Sequence, residues 1–309
     1  MNFTSLFNAL PGAVSQGLIW GMMAIGVYIT YRILDVADLT VDGSIATGGA
    51  VAAMLIVNGY NVWFALLAAF GAGLLCGFVT GIFHTFMGIP AILAGILTQL
   101  ALYSINLRIM GDMANVSVSV NKYALVVSSR YARTLGLQNP FILLAVFTAV
   151  LIAALYWFFG TERGCSLRAT GANANMARAQ GINTDFDKVL GLMLSNGIVA
   201  LSGAMLAQFQ GFSDVSMGRG AIVIGLAAVI IGEVVFSRVF RNFALKLLAV
   251  SFGAIIYYLV IQVVLWLGLK TNDLKMLTAL VVAVFLAVPY WKEKYFTKKK
   301  DEKGVAPHA

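Results

Sequence analysis

The stretch GTERGCSLRATGANANMARAQGINTDFDK, residues 160–188, is the longest polar interruption in the second half of an otherwise apolar chain. Its basic residues are Arg163, Arg168, Arg178 and Lys188. Between Gly171 and Gly181 lies a segment, residues 172–180, that is rich in Ala, Asn and Met and compatible with a short helix. A short helix in a basic loop between two hydrophobic segments predicts a docking element for a partner in the cytosol.

The composition of the chain places it in a membrane. Of its 309 residues, 60% are hydrophobic and only 11% are charged, and the mean hydropathy is +0.88. A soluble domain is about half apolar and about a quarter charged, so it could not bury this much apolar surface. The apolar stretches mostly run about 17–25 residues and lack the alternation of barrel strands. The sequence therefore predicts an all-α polytopic membrane protein.

The net charge of +8 does not indicate nucleic acid as a partner. The basic residues lie in loops and at the C-terminus, as expected of a protein inserted into a lipid membrane. The two cysteines, Cys76 and Cys165, fit neither a disulfide framework nor a metal site. We therefore predict no metal.

We predict about nine transmembrane helices, within a range of roughly eight to ten, because re-entrant segments can imitate spans. They cover residues 11–33, 43–57, 62–84, 91–110, 140–159, 186–209, 221–236, 243–268 and 275–291. A count of Lys and Arg across the loops favours a cytoplasmic C-terminus and an external N-terminus. Residues 160–188 then face the cytosol, and residues 292–309 form a basic cytoplasmic tail.

The long segment 111–139 is too polar to span the membrane and is predicted to lie outside. The alternation of Val and Ser over residues 115–120 indicates a short extended piece within it. This segment is where a partner outside the membrane would dock; a structural re-entrant or extracellular loop is the alternative.

Two stretches of the chain resemble each other. QGLIWGMMAIGVYITYRILDVADLTVDG, from Gln16, and NGIVALSGAMLAQFQGFSDVSMGRG, from Asn196, each hold a glycine-containing span and a polar connector that ends at a glycine. An odd number of spans separates them, so the pattern predicts an inverted-topology repeat, which is common in transporters. Chance similarity between Gly- and Ala-rich spans is the alternative.

The polar stretch also carries a motif, RATGANANMARAQGI, residues 168–182. The motif positions are Arg168, Gly171, Asn173, Ala177, Gly181 and Ile182. It resembles the cytoplasmic coupling loop in permeases of the ABC importer family that includes branched-chain amino acid, ribose and nucleoside permeases. The resemblance covers about residues 16–289. An acidic connector at residues 35–43 and Glu233 after Gly232 depart from the family pattern, so the sequence is most similar to a less characterised branch associated with amino-acid, including aromatic amino-acid, binding proteins.

The resemblance implies a single transmembrane permease domain over residues 1–309, with residues 160–188 as its cytoplasmic coupling loop. It would move a small polar metabolite inward, with an amino acid the best guess, by ATP-driven alternating access. The implied partners are a second permease subunit, identical or paralogous, a cytoplasmic ABC ATPase dimer and an extracytoplasmic substrate-binding protein. The implied location is a prokaryotic inner membrane, in contact with lipid.

The coupling motif has a physical rationale. Gly171 and Gly181 would allow sharp entry to and exit from a short helix. Ala177 would allow close approach to the ATPase, and Arg168 and Arg178 would pair with its carboxylates.

No chemistry on a substrate is predicted. The chain has no GxxxxGK[ST] stretch, so we expect no cofactor in it, and ATP and Mg²⁺ belong to the partner ATPase. No Ser-His-Asp, metal or paired-carboxylate pattern is present, and the two histidines, His84 and His308, lie far apart. The sequence thus predicts a transport subunit that is not an enzyme.

Polar residues within spans are the candidates for a substrate pathway. They are Gln99, Asn106, Gln208 and Glu233. The alternative for the amides is hydrogen bonding between helices, and for Glu233 it is pairing with Arg238 or Arg241. An ion- or proton-coupled secondary transporter, the rival function, would need an ionisable pair near the bilayer midplane, and Glu233 offers only one such group.

Three carboxylates, Asp35, Asp38 and Asp42, precede the second span. They favour capping of that span over a cation site, because they lack the ligand spacing of a metal-binding loop.

Overall fold

The structure, a computed structural model, describes residues 3–123, 125–131, 139–236, 240 and 242–267, together with 276, 278–280, 282–284 and 287. The predicted span at residues 275–291 therefore lies largely outside the described residues. The predicted tail at residues 292–309, and Arg238 and Arg241, lie wholly outside them.

Helices account for most of the described chain. The bounds are α1 (Phe3–Tyr28) continued by a π-helical turn (Ile29–Ile33), α2 (Val41–Val57), α3 (Val62–Thr85), α4 (Ala91–Ile109), α5 (Pro140–Gly160), α6 (Glu162–Ala172), α7 (Ala174–Ala179), α8 (Thr184–Gln210), α9 (Ala221–Phe236) and α10 (Phe243–Trp266). A 3₁₀ turn (Ser129–Tyr131) and two short strands, β1 (Asn115–Ser117) and β2 (Phe212–Asp214), complete the described elements.

Six helical stretches among the described residues are long and apolar enough to cross a membrane: Ala9–Ile33, Val62–Thr85, Ala91–Ile109, Pro140–Gly160, Thr184–Gln210 and Phe243–Trp266. The apolar helices α2 and α9 are shorter, with 17 and 16 residues. Together these helices coincide with the first eight predicted spans. The prediction of a helical polytopic membrane protein is confirmed.

Helices α1 and α8 form the centre of the described bundle. Their most apolar windows are 83% and 72% buried, whereas those of α4 and α5 are 28% and 22% buried. Helix α8 packs against α2 and α3, α1 packs against α9 and α10, and α1 and α8 contact each other. The outer helices leave apolar faces for lipid or another subunit.

Small residues allow the central helices to approach one another closely. A Cβ atom at Gly73 of α3 would lie 2.3 Å from the Asn196 carbonyl oxygen of α8, and one at Gly77 would lie 2.2 Å from that of Leu192. Since lipid tails are as apolar as core side chains, close packing rather than the hydrophobic effect drives such helix association. The glycines of α3 thus fix its contact with α8.

The short helices α2 and α9 begin at a common point. The backbone N–H groups of Gly220 and Ile222 donate to Asp42 Oδ2 and Oδ1, both over 2.9 Å. Asp42 lies in the first turn of α2, but its carboxylate caps α9. The prediction that Asp42 caps its own helix is wrong, because the connector before α9 folds over the start of α2.

The two strands lie at the end of α8 that is remote from α6 and α7. They pair antiparallel, with Asn115 opposite Asp214 and Ser117 opposite Phe212. Val118 extends this contact by donating its N–H to the Gly211 carbonyl oxygen over 2.8 Å. The predicted extended piece at residues 115–120 is confirmed over Asn115–Ser117.

Candidate functional site

The polar stretch folds into two consecutive helices, α6 and α7, which we call the elbow (residues 162–179). Each helix in this region starts with a side-chain cap: Thr161 Oγ1 accepts from Gly164 N–H, Asn173 Oδ1 from Met176 N–H, and Asn183 Oδ1 from Phe186 N–H. Thr and Asn favour this position because their oxygens satisfy a free backbone donor. The predicted helix at residues 172–180 is the shorter α7, and α6 was not predicted.

The two glycines of the motif have different roles. Gly181 has a φ of +81°, so it makes the predicted turn after α7. Gly171 instead lies within α6, and a Cβ atom there would lie only 1.7 Å from the Ile33 carbonyl oxygen. The prediction of a sharp turn at Gly171 is wrong: this glycine lets α6 pack directly on the end of α1.

A buried carboxylate fastens α6 to α8. Asp187, in the first turn of α8, accepts hydrogen bonds from Ser166 Oγ and from Thr170 Oγ1, the latter over 2.9 Å. The two hydroxyl residues stand four positions apart and so share one face of α6. This clamp was not predicted, although two hydroxyl residues four positions apart before an acidic helix start were a signal for it.

The two arginines of the motif have partners within the chain. Arg178 Nη2 lies 3.2 Å from Asp185 Oδ1, and its Nε donates to Thr184 Oγ1 over 2.7 Å. The Arg168 guanidinium lies 5.7 Å from the centre of the Phe243 ring. Both arginine side chains remain exposed, which leaves donors free for an external carboxylate.

The other motif residues divide between packing and exposure. Ala177 is buried against the body of the protein, and Ile182 is half-buried. Asn173 caps α7, and the neighbouring Met176 side chain is 64% exposed. An apolar side chain this exposed at the tip of a polar elbow is available to another protein.

A second polar feature is a cavity of about 240 Å³ between α2, α4 and the connector before α9. Its lining residues are Asp42, Gly43, Ala46, Gln99, Leu100, Tyr103, Asn106, Val215 and Arg219. Two of the predicted pathway residues, Gln99 and Asn106, thus lie in one cavity. Asp42 and Arg219, which were not predicted for the pathway, add a carboxylate and a guanidinium.

The remaining pathway candidates lie elsewhere. Gln208 Oε1 accepts from the Val126 N–H over 3.1 Å, so its side chain ties the segment after α4 to the end of α8. Glu233 Oε1 lies 3.0 Å from Arg32 Nε, which joins α9 to the end of α1. From the sequence, the alternative for Glu233 was an ion pair with Arg238 or Arg241. Its partner in the structure is Arg32, which was not predicted.

A buried polar network links the middle of α8 to the connector before α2. Asn196 Nδ2 donates to Asp38 Oδ2 over 2.7 Å, and Ser44 Oγ donates to Asn196 Oδ1 over 2.6 Å. Asp38 also accepts the Thr40 N–H, which fixes the turn into α2. Among the described residues, no group of three His, Cys, Asp or Glu side chains is placed to hold a metal ion.

A helical bundle with two short helices that meet at a polar cavity has the architecture of a transport permease. Residues 10–289 match the family described as branched-chain amino acid transport system / permease component, so the chain belongs to that family. It is a multi-pass inner-membrane permease subunit of an ABC importer, and not an enzyme, since ATP hydrolysis belongs to a separate subunit.

Individual relatives agree with this assignment. The chain is 40% identical over 280 residues to the tyrosine transport system permease protein of Clostridioides difficile (strain R20291), covering 91% of each. It is 27% identical over 232 residues to the ribose import permease protein RbsC of Escherichia coli (strain K12), covering 75% of this chain and 70% of that one. Its fold resembles that of PsaBC from Streptococcus pneumoniae in complex with Fab, with a TM-score of 0.51 and 18% identity over 94% of each chain.

Proposed function

We propose that this permease imports an amino acid, and that the elbow is where its ATPase docks. The amino acid is supported by the family description and by the relative from Clostridioides difficile, which is named for tyrosine transport. The cavity supports it too, because a carboxylate and a guanidinium, those of Asp42 and Arg219, both line it. The carboxylate could bind the ammonium group of an amino acid, and the guanidinium could bind its carboxylate.

The Asp187 clamp is the observation that carries the docking proposal. A subunit without its own nucleotide site must receive motion from a separate ATPase, and a loosely attached loop would absorb that motion. The two hydroxyl hydrogen bonds to Asp187 make α6 and α8 one rigid unit. Movement of the elbow would therefore displace α8 as a body.

Helix α8 can carry that displacement to the connectors. Asn196, near its middle, holds Asp38 and Ser44 through hydrogen bonds. A second route runs from Gly171 to Ile33 at the end of α1. Both routes lead from the elbow to the two helices at the centre of the bundle.

We further propose an inverted repeat within about nine spans. Exchanging α1 with α8, α2 with α9 and α3 with α10 maps three observed packing pairs onto three others: α1–α10 onto α8–α3, α1–α9 onto α8–α2, and α9–α10 onto α2–α3. The opposed starts of α2 and α9 fit the same exchange.

The remaining partners are also proposals. Exposed apolar faces on α3, α4 and α5 would contact lipid and a second permease subunit, identical or paralogous. The external binding protein would dock at the end that carries β1 and β2. ATP and Mg²⁺ would bind only to the ATPase, and residues 292–309 would form a basic cytoplasmic tail of a single domain over residues 1–309.

The docking proposal is tested by charge reversal in proteoliposomes that hold the permease, its ATPase and its binding protein. Arg168→Glu with Arg178→Glu should lower ATP-driven uptake of labelled L-tyrosine by about tenfold or more, because charge-assisted hydrogen bonds to the ATPase are lost. ATP hydrolysis should become independent of the loaded binding protein. Arg108→Glu, in the last turn of α4 and remote from the elbow, is the matched control and should leave the ATPase bound to the permease.

A second control separates docking from internal pairing. Arg178→Glu combined with Asp185→Arg keeps an ion pair at that place but reverses the charge presented by residue 178. Recovery of uptake in this variant, or full uptake in the double arginine variant, would contradict docking through these arginines. Uptake driven by a proton gradient in the absence of ATP would instead favour a secondary transporter.

A further inference from the structure

We propose that the cavity between α2, α4 and the α9 connector is an amino-acid binding site, in which Arg219 binds the α-carboxylate and Asp42 the α-ammonium group. The inference rests on the proposed amino-acid import and deepens it, since it assigns the groups that recognise the substrate. It makes the start of α2 and the connector before α9 the elements that hold the substrate within the membrane.

The cavity lies where the two short helices α2 and α9 begin. At about 1.5 Å per residue, α2 and α9, of 17 and 16 residues, are each shorter than the roughly 30 Å hydrocarbon layer. They start together at Asp42 and run apart, so their common starting point lies inside the layer. In transporters, such starting points of discontinuous helices are where substrates bind.

Arg219 has the geometry of a carboxylate receptor. Its guanidinium lies 5.9 Å from the centre of the Tyr103 ring, so the aromatic face supports it. Among the described residues it forms no ion pair. Its planar fork of donors therefore remains open to a carboxylate, which it can bind through two parallel hydrogen bonds.

Asp42 retains capacity for an ammonium group. Each of its oxygens accepts one backbone N–H from the start of α9, and each carboxylate oxygen can accept a second hydrogen bond. Its side chain is only half-buried and lines the cavity. The backbone donors thus fix the carboxylate in position while one side of it faces the cavity.

Asn106 is a second, independent indication of a ligand. It is 1% exposed, and neither its Oδ1 nor its Nδ2 has a hydrogen-bond partner in the described part of the chain. Buried amides nearly always have partners, and this amide lines the cavity beside Gln99. A bound amino acid would supply the missing donor and acceptor.

The size of the cavity favours one small metabolite. Drug-sized ligands occupy pockets of roughly 300–1,000 Å³, and this cavity measures about 240 Å³. Gly43 keeps it narrow, because a Cβ atom there would lie 2.8 Å from Leu102 Cδ1 on α4. A cavity of this size, lined by both Asp42 and Arg219, suits a single α-amino acid.

Equilibrium binding to the intact permease–ATPase complex in lipid nanodiscs tests the assignment. The probes are L-tyrosine, tyramine, which lacks the carboxylate, and 3-(4-hydroxyphenyl)propionate, which lacks the ammonium group. Arg219→Gln should weaken L-tyrosine binding by about tenfold or more and leave tyramine binding unchanged. Asp42→Asn, which retains a capping oxygen, should weaken L-tyrosine binding and leave propionate binding unchanged.

Arg108→Gln, an exposed arginine on α4 outside the cavity, is the matched control and should bind like the natural protein. Variants at Arg219 and Asp42 that bind L-tyrosine like this control would overturn the assignment, as would equal weakening toward all three probes. ATP-driven uptake of the standard L-amino acids by the natural complex is measured in parallel. If the natural complex imports an amino acid but the Arg219 and Asp42 variants bind L-tyrosine normally, only this assignment is wrong. If the natural complex imports no amino acid, both the proposed function and the assignment are wrong.

Discussion

At the scale of single residues, the structure shows which contacts require particular glycines and carboxylates. The sequence alone does not reveal these contacts. Gly171 brings α6 onto the end of α1, and Gly73 and Gly77 bring α3 onto α8. Asp42 caps α9 by accepting the N–H of Gly220, which lies 178 positions further along the chain. In each case the residue type follows from a contact that is distant in sequence, so a local pattern could not predict it.

The close contact at Gly77 predicts a loss of stability on substitution. Gly77→Ala would place a Cβ atom 2.2 Å from the Leu192 carbonyl oxygen, so α3 must move away from α8. We expect a loss of about 1–3 kcal/mol in the free energy of unfolding, as for other overpacked cores. Thermal unfolding of the purified permease in detergent measures it.

Gly71 is the matched control, because it lies on the same helix and a Cβ atom there would meet nothing within 4 Å. Gly71→Ala should leave the unfolding temperature unchanged or raise it slightly, since alanine favours helices. Equal effects of the two substitutions would contradict the packing of α3 on α8.

At the scale of elements, helix caps determine where the polar stretch folds. Thr161, Asn173 and Asn183 each start a helix, and together they divide residues 160–188 into α6, α7 and the beginning of α8. The apolar helices could be predicted because hydrophobic runs are local. The elbow could be predicted only as a docking region, since α6 is a polar helix that Asp187 and Ile33 hold in place.

The clamp between α6 and α8 predicts a coupling defect. Asp187→Ala leaves the Ser166 and Thr170 hydroxyls without their buried acceptor, so α6 should move independently of α8. In proteoliposomes with the ATPase and binding protein, we expect uptake per ATP hydrolysed to fall by about tenfold, with the ATPase still bound. The ratio of labelled substrate to released phosphate gives the result.

Asp185→Asn serves as the control for this variant, because Asp185 is exposed and its ion pair with Arg178 contributes little to stability. An unchanged ratio of uptake to hydrolysis in Asp187→Ala would show that the clamp carries no motion. Loss of the ATPase from the complex would instead show that the clamp shapes the docking surface itself.

At the scale of the whole molecule, α1 and α8 are the most buried spans of the described bundle, and α2 and α9 start from one point and run apart. The pattern behind the proposed inverted repeat was visible in the sequence, because both stretches keep the same order of span, connector and glycine. The cavity was not, since it joins side chains of α2, α4 and the α9 connector that only the fold brings together.

The central claim, that the elbow receives the ATPase at the cytoplasmic end, is tested most directly by cysteine cross-linking in native membranes. In a Cys165→Ser background, which removes the exposed natural thiol, Met176→Cys places a thiol on the tip of α7. Met113→Cys, on a side chain 52% exposed at the opposite end, is the matched control. We predict that a short bifunctional reagent joins the ATPase to residue 176 and not to residue 113. Cross-linking at residue 113, or no cross-linking at residue 176 in a complex that still binds the ATPase, would contradict docking at the elbow.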